Sequence, residues 1–155
     1  MNDVRNEEII QTQLCRYIRE NYPSVIFLSD LSGVRLSKGV AHKIASLKSS
    51  RGIPDLIILS PQEEFHGLMI ELKSREEKVI RQDGALYADE HLREQADVLI
   101  RLRSQGYAAF FASGMASACD LVDAYFSSQP RLFDQATSEV TADNFSPLLW
   151  KPRYE

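Results

Sequence analysis

Within residues 5–21 apolar side chains recur at Ile10, Leu14, Tyr17 and Ile18, one stripe of a 3.6-residue period, and Asn21-Tyr22-Pro23 supplies a stop. This spacing predicts a first helix. Val25-Ile26-Phe27-Leu28 is a β-branched and aromatic run closed by Asp30 and Ser32-Gly33, which predicts a short strand. Gly52-Ile53-Pro54-Asp55 leads into Leu56-Ile57-Ile58-Leu59, an unbroken apolar run with proline on both sides, the pattern of a strand buried on both faces. Pro61-Gln62-Glu63-Glu64 predicts a turn, and Leu68-Met69-Ile70-Glu71-Leu72-Lys73 the antiparallel partner beyond it. Between 89 and 105 the helical stripe returns at Leu92, Leu99 and Leu102, with Gly106 placed to end the helix. Residues 107–112 predict a strand and 116–126 a last helix. Residues 74–88 carry no clear period, and after Pro130 the pattern dissolves into a polar segment ending Leu148-Leu149-Trp150-Lys151-Pro152. The order α-β-(α)-β-β-α-β-α predicts an α/β fold, a mixed β-sheet flanked by helices.

Length and composition narrow the class. A chain of 155 residues fits one domain, and 44% hydrophobic and 26% charged residues with 7 Gly and 6 Pro describe a folded protein, neither disordered nor collagenous. Cys15 and Cys119 form neither a C-x-x-C pair nor a zinc framework and are expected to be buried thiols of a reducing cytosol. The first eight residues have no apolar core of a signal peptide. The uncharged stretch 104–119 is interrupted by Gly106, Gly114 and several serines, so no membrane span is expected. The expected location is cytoplasmic, for a soluble protein of bacterial or phage type.

Charge changes the picture locally. The net charge is −4, unlike the basic body of a non-specific nucleic-acid binder. Yet residues 31–54 contain no acid and carry Arg35, Lys38, Lys43, Lys48 and Arg51, leaving −9 on the rest of the chain. Val40, Ile44 and Leu47 in the same segment have helical spacing, so it also reads as an amphipathic helix with a solvated basic face.

The candidate chemistry lies at strand positions. Residues two apart in a strand share a face, so Glu71 and Lys73 project together, away from Ile70 and Leu72. Charges inside an apolar strand are costly without partners. Asp55, at the start of the neighbouring strand, is the candidate, and two carboxylates brought close are relieved by a divalent cation. Alone, E-x-K reads as an ordinary ion pair of little worth. Two further intrusions change that. Glu7 falls on the apolar stripe of the first helix, three before Ile10 and seven before Leu14, with Glu8 beside it as the alternative; Gln95 sits on the core stripe of the later helix between Leu92 and Leu99. His42, His66 and His91 have no motif and read as surface or structural residues. Tyr107, Phe110, Phe111 and Phe126 read as core, and Trp150 packs either onto the body or onto a second subunit.

An inward acid on the first helix, G-x-P-D before a strand, E-x-K inside the next and a glutamine on the following helix together resemble the PD-(D/E)XK nucleases, specifically the VRR-NUC family. The matching residues are Glu7, Gly52 with Pro54-Asp55, Glu71 with Lys73, and Gln95. The resemblance implies a restriction-endonuclease-like fold over residues 1–129, with 130–155 as a C-terminal extension of unknown role. It implies a Mg2+ or Mn2+ site formed by Asp55, Glu71 and the main-chain carbonyl of Leu72, with Glu7 as an outer or additional ligand. In the same reading Lys73 polarises the attacking water, Gln95 positions Lys73 or the phosphate, and residues 31–54 carry the DNA. The implied activity is metal-dependent endonuclease cleavage of branched or junction DNA by a homodimer. The alternatives are a restriction-type duplex nuclease of the same fold and a non-catalytic DNA-binding module. The chain has no Walker A, G-x-G-x-x-G or G-x-S-x-G sequence, so nothing supports nucleotide hydrolysis, dinucleotide chemistry or α/β-hydrolase catalysis.

Overall fold

A computed structural model describes residues 2–31 and 35–153; the turn expected at Ser32-Gly33 lies outside the described residues. Helix α1 (Asn2–Asn21) buries Ile10, Leu14 and Ile18, spaced by four, and leaves Gln13, Arg16 and Glu20 exposed. Strands β1 (Phe27–Ser29), β2 (Leu56–Ile58), β3 (Leu68–Lys73) and β4 (Ala108–Ser113) form one sheet in the order β1-β2-β3-β4. The first three are antiparallel neighbours, while β3 and β4 run parallel. A parallel pair needs a crossover, and α3 (Glu90–Ser104) provides it. The Asp89 carboxylate caps that helix by accepting the Leu92 N–H at 2.8 Å, and Gly106, at φ +92°, follows its end. Helix α4 (Gly114–Phe126) follows β4 directly. The mixed α/β architecture expected from the pattern is the one observed.

Two layers of helix cover the sheet. On one face Leu68, Ile70, Leu72 and Phe110 pack against Leu14 of α1 and Leu121 and Tyr125 of α4. On the other, Met69, Ala109 and Phe111 meet Leu92, Ala96 and Leu99 of α3. Every residue of β3 is buried, and burying a side chain of leucine size contributes about 2 kcal/mol. The strand at Leu56-Ile57-Ile58-Leu59 differs from its expectation. Leu56 and Ile58 are fully buried, but Ile57 is only half-buried and Leu59 is 56% exposed. Helix α3 packs on β3 and β4, so the α3 side of β1 and β2 is left open.

The basic segment does form a helix, α2 (Lys38–Ser46), whose N-cap is Ser37. None of its residues is buried. Residues 74–88 fold back on themselves through an Ile80–Leu86 bridge, with Val79 buried beneath. Cys15 and Cys119 are free but half-buried, more open than expected. Phe110 and Phe111 are fully buried and Tyr107 and Phe126 pack against the same cores.

The segment after Pro130 is more ordered than its polarity suggests. Proline opens helix α5 (Pro130–Thr137), where a missing N–H costs nothing, and Leu132 and Ala136 are buried. The chain then passes through a 3₁₀ turn (Ser146–Leu148) and returns to β4, where the Trp150 N–H donates to the Phe111 carbonyl at 2.9 Å. The Trp150 ring packs on Phe110 within its own subunit, and its indole N–H donates to Asp120 at 2.9 Å. Arg103 fastens this return. Its guanidinium lies over the Phe110 ring and donates to the carbonyls of Ala109, Gln135 and Pro147. Burial pushes its pKa down to about 10.

Candidate active site

The site lies where three strands end together. In the antiparallel register Leu56 pairs with Ile70, so the next residue along, Asp55, lies opposite Glu71. Asp55 is also tied to β1, since its carbonyl accepts the Asp30 N–H at 2.8 Å, and its carboxylate accepts the Leu72 N–H at 2.8 Å. Gly52 explains how the preceding loop comes so close. It has φ +77°, and a Cβ there would sit 3.0 Å from the α3 backbone at Glu94 and Gln95. Proline follows two residues later, and the chain enters β2 with Asp55 directed at β3.

Gln95 completes this corner from α3, donating to Glu71 Oε1 at 2.5 Å. The second oxygen, Glu71 Oε2, is buried with no hydrogen-bond donor, as is the amide oxygen of Gln95. Burial, reinforced by the charge on Asp55 and opposed by Lys73, raises the Glu71 pKa well above the carboxylate range. Lys73 is 5% exposed; its ammonium lies 3.3 Å from Glu77 and over the Phe111 ring. Glu7 arrives from α1. Burial is the main cause that pushes its pKa up to about 8, followed by a hydrogen bond to Glu77, while Lys73 acts in the opposite sense. Carboxylates thus crowd a single lysine, and at least one of them retains its proton in the absence of further positive charge.

The structure gathers Glu7, Asp55, Glu71, Lys73 and Gln95 into one corner, with Leu72 contributing its backbone. Glu8, the alternative acid, is exposed. The five basic residues behave differently from one another. Arg35, Lys38, Lys43 and Arg51 are exposed, whereas Lys48 is half-buried in an ion pair with Asp30 at 2.7 Å. Sequence reasoning misses three members of the surroundings. Glu77 follows Lys73 by four, a spacing whose meaning depends on the turn between them. Asp30 looks like a strand terminator and is also the partner of Lys48. His91 looks like a surface residue; it is exposed, yet its Nε2 lies 3.2 Å from the Gln95 amide nitrogen, one helical turn on. The i, i+4 spacing of His91 and Gln95 is the signal that could have found it.

A cavity of about 770 Å³ opens onto Asp55, Glu71, Gln95 and His91. Among the described residues no three His, Cys, Asp or Glu side chains form a group that could hold a metal ion. The corner instead offers two facing carboxylates, one with an oxygen that lacks a donor. That set fits Mg2+ or Mn2+, hard cations that commonly use one or two protein carboxylates and fill the remaining positions with water and substrate oxygens.

No protein-family model matches the chain, and no curated protein matches it. A solved structure of a VRR_NUC domain protein is similar, with a TM-score of 0.56 at 20% sequence identity, over 79% of this chain and 88% of that one. The chain shares the fold of that domain. Among the described residues no helix is long and apolar enough to cross a membrane.

Proposed function

We propose that the chain is a metal-dependent DNA endonuclease of the VRR-NUC kind. The observation that carries this reading is the buried Glu71 facing Asp55, with the buried Lys73 beside it, at a corner that opens onto a large cavity. Facing acids in the interior carry a cost that a shared proton relieves in the metal-free chain and that a divalent cation relieves when both are ionised. Asp55, Glu71 and the Leu72 carbonyl would hold Mg2+ or Mn2+, with Glu7 as an outer acid. A divalent ion bound there supplies a Lewis acid and lowers the pKa of water.

The chain's own groups do the rest. Gln95 fixes the rotamer of Glu71 through Oε1, and the Leu72 N–H fixes Asp55, so both carboxylates are held before substrate arrives. Lys73, buried and held by Glu77, orients the attacking water and offsets negative charge as it grows on the phosphate. Arg35, Lys38, Lys43, Lys48 and Arg51 lead the phosphate backbone to the corner, with Lys48 first requiring release from Asp30. In this reading residues 1–129 are the nuclease domain, and residues 130–155 act as the extension that closes its core. The substrate is branched or junction DNA, cut by a homodimer whose two sites reach two strands. The deciding experiment is a cleavage panel of single-stranded, duplex, flap and four-way DNA with Mg2+ or Mn2+. Cleavage that disappears in Glu71→Gln supports the reading, and no cleavage of any substrate overturns it. Light scattering with and without four-way DNA tests the dimer.

A further inference from the structure

Helix α2 has apolar residues and no core to put them in. None of its side chains is buried, yet Ala41, Ile44 and Ala45, together with Leu36 before it and Ile53 after it, line the same cavity that Asp55 and Glu71 line from the other side. The cavity therefore has two walls of different chemistry, one acidic and suited to a cation, the other aliphatic. Arg51 lines it as well, and the segment around α2 carries Lys38 and Lys43 on exposed positions without an acid between residues 31 and 54.

Paired DNA has no free base face to lay on an aliphatic wall. A duplex presents mainly phosphates and sugars to a cleft, shows only base edges in its grooves, and keeps its base faces stacked on each other. An unpaired nucleotide presents an anionic phosphate and a free, flat, apolar base face together. About 770 Å³ lies within the range of sites that enclose a small molecule, and it far exceeds what a metal ion and its waters require.

We infer that this cavity is a pocket for one unpaired nucleotide, its base against Ile44, Leu36 and Ile53, its flanking phosphate directed to Arg51 and to the cation corner of Asp55 and Glu71. The substrate class is then DNA with an unpaired nucleotide beside the bond to be cut. This inference rests on the nuclease reading for the place of the phosphate, but the seat of the base is independent of it.

The test uses the whole chain and measures binding by fluorescence anisotropy in Ca2+. The probes are a fully paired duplex and the same duplex with a three-nucleotide single-stranded flap, whose bases are removed one position at a time. The expected result is tighter binding of the flap and a weakening of about tenfold when one particular base is missing, the scale of burying one apolar base face against aliphatic side chains. In Ile44→Ser that base matters less than about twofold, the signature of coupled partners. Because Ile44 is only half-buried and no residue of α2 is fully buried, Ile44→Ser is expected to melt within a few degrees of the parent chain, which separates a pocket effect from unfolding. Equal binding of flap and duplex, or indifference to every missing base, overturns the pocket. Cleavage in Mg2+ is measured alongside. Cleavage with base-indifferent binding removes the pocket alone, whereas base-dependent binding without cleavage of any substrate removes the nuclease reading alone.

Discussion

Two carboxylates enter the interior of this molecule from opposite sides and meet opposite treatment. Asp123 of α4 accepts hydrogen bonds from the Tyr17 hydroxyl at 2.7 and 2.9 Å and from the Tyr22 hydroxyl at 2.6 Å. Burial and those bonds raise both tyrosine pKa values, so each hydroxyl keeps its proton and stays a donor. Glu71, by contrast, has Gln95 on one oxygen and faces Asp55, a second acid with which it can bond only through a retained proton. The Asp123 cluster has its hydrogen bonds supplied and joins α1 to α4. The Glu71 cluster is incomplete, and incompleteness of that kind is what a binding site keeps in reserve. Burial alone does not distinguish the two; the supply of donors does.

The largest expected effect breaks the comparison through catalysis. Glu71→Gln is expected to lower the cleavage rate by about a thousandfold or more, while Asp123→Asn leaves it within about threefold. Single-turnover assays at saturating Mg2+ measure both. The stability of the same positions is expected to run the other way. Asp123→Ala strips two hydroxyls of their acceptor and is expected to cost about 2 kcal/mol in urea unfolding, whereas Glu71→Gln, which removes a buried acid and keeps an oxygen for Gln95, leaves the metal-free chain as stable or more so. A Glu71→Gln variant that unfolds more readily than Asp123→Ala would remove the contrast.

The pH dependence sharpens it further. Unfolded, Glu7 titrates near its ordinary value of 4.5; folded, it holds its proton up to about 8. Between those values the native state binds more protons than the unfolded one, so stability falls as pH rises across that window and levels off above it. Urea midpoints taken from pH 5 to 8 in a chelator are expected to decline, and the decline to flatten in the Glu7→Gln, Glu71→Gln double variant. Mg2+ is expected to restore the midpoint at pH 8 in the parent chain, by about 3 kcal/mol when the ion stands at a hundred times its dissociation constant. The same addition leaves Glu71→Gln unmoved.

The smallest effect concerns the exposed cations. Every phosphate that a side chain no longer neutralises reduces the salt slope by about 0.9, so Lys38→Ala with Lys43→Ala should flatten it by about 1.8. Lys48→Ala should change it less, since part of that charge is already spent on Asp30. Equal slopes for the parent and the Lys38, Lys43 pair would move the DNA path elsewhere.

Much of the fold and the site is legible in the sequence because both are written in local periods. The stripe Ile10, Leu14, Ile18 and the alternation around Glu71 each need only a few neighbouring residues to be read, and the same patterns make Glu7 and Gln95 visible as polar residues on apolar faces. What stays hidden depends on distant partners. Leu59 looks like core from its neighbours, and only the reach of α3 decides that it is bare. Glu77 gains its meaning from a turn, and Lys48 from Asp30 eighteen residues earlier. Residues 130–153 look polar because their buried apolar side chains, Leu132, Ala136, Phe145, Leu148 and Trp150, are spread thinly and serve cores built by other segments.

That last arrangement has a consequence for how the protein is made. Trp150 fills the core beside Phe110, and its backbone closes onto β4, so the packing around β4 is complete only once residue 150 has left the ribosome. Until then a nascent chain carries finished helices and an unfinished hydrophobic surface, with apolar strand faces open to whatever lies nearby. Synthesis that pauses before residues 130–150 emerge should therefore leave a species that aggregates or recruits a chaperone, and their emergence should let the packing around β4 close in a single late step.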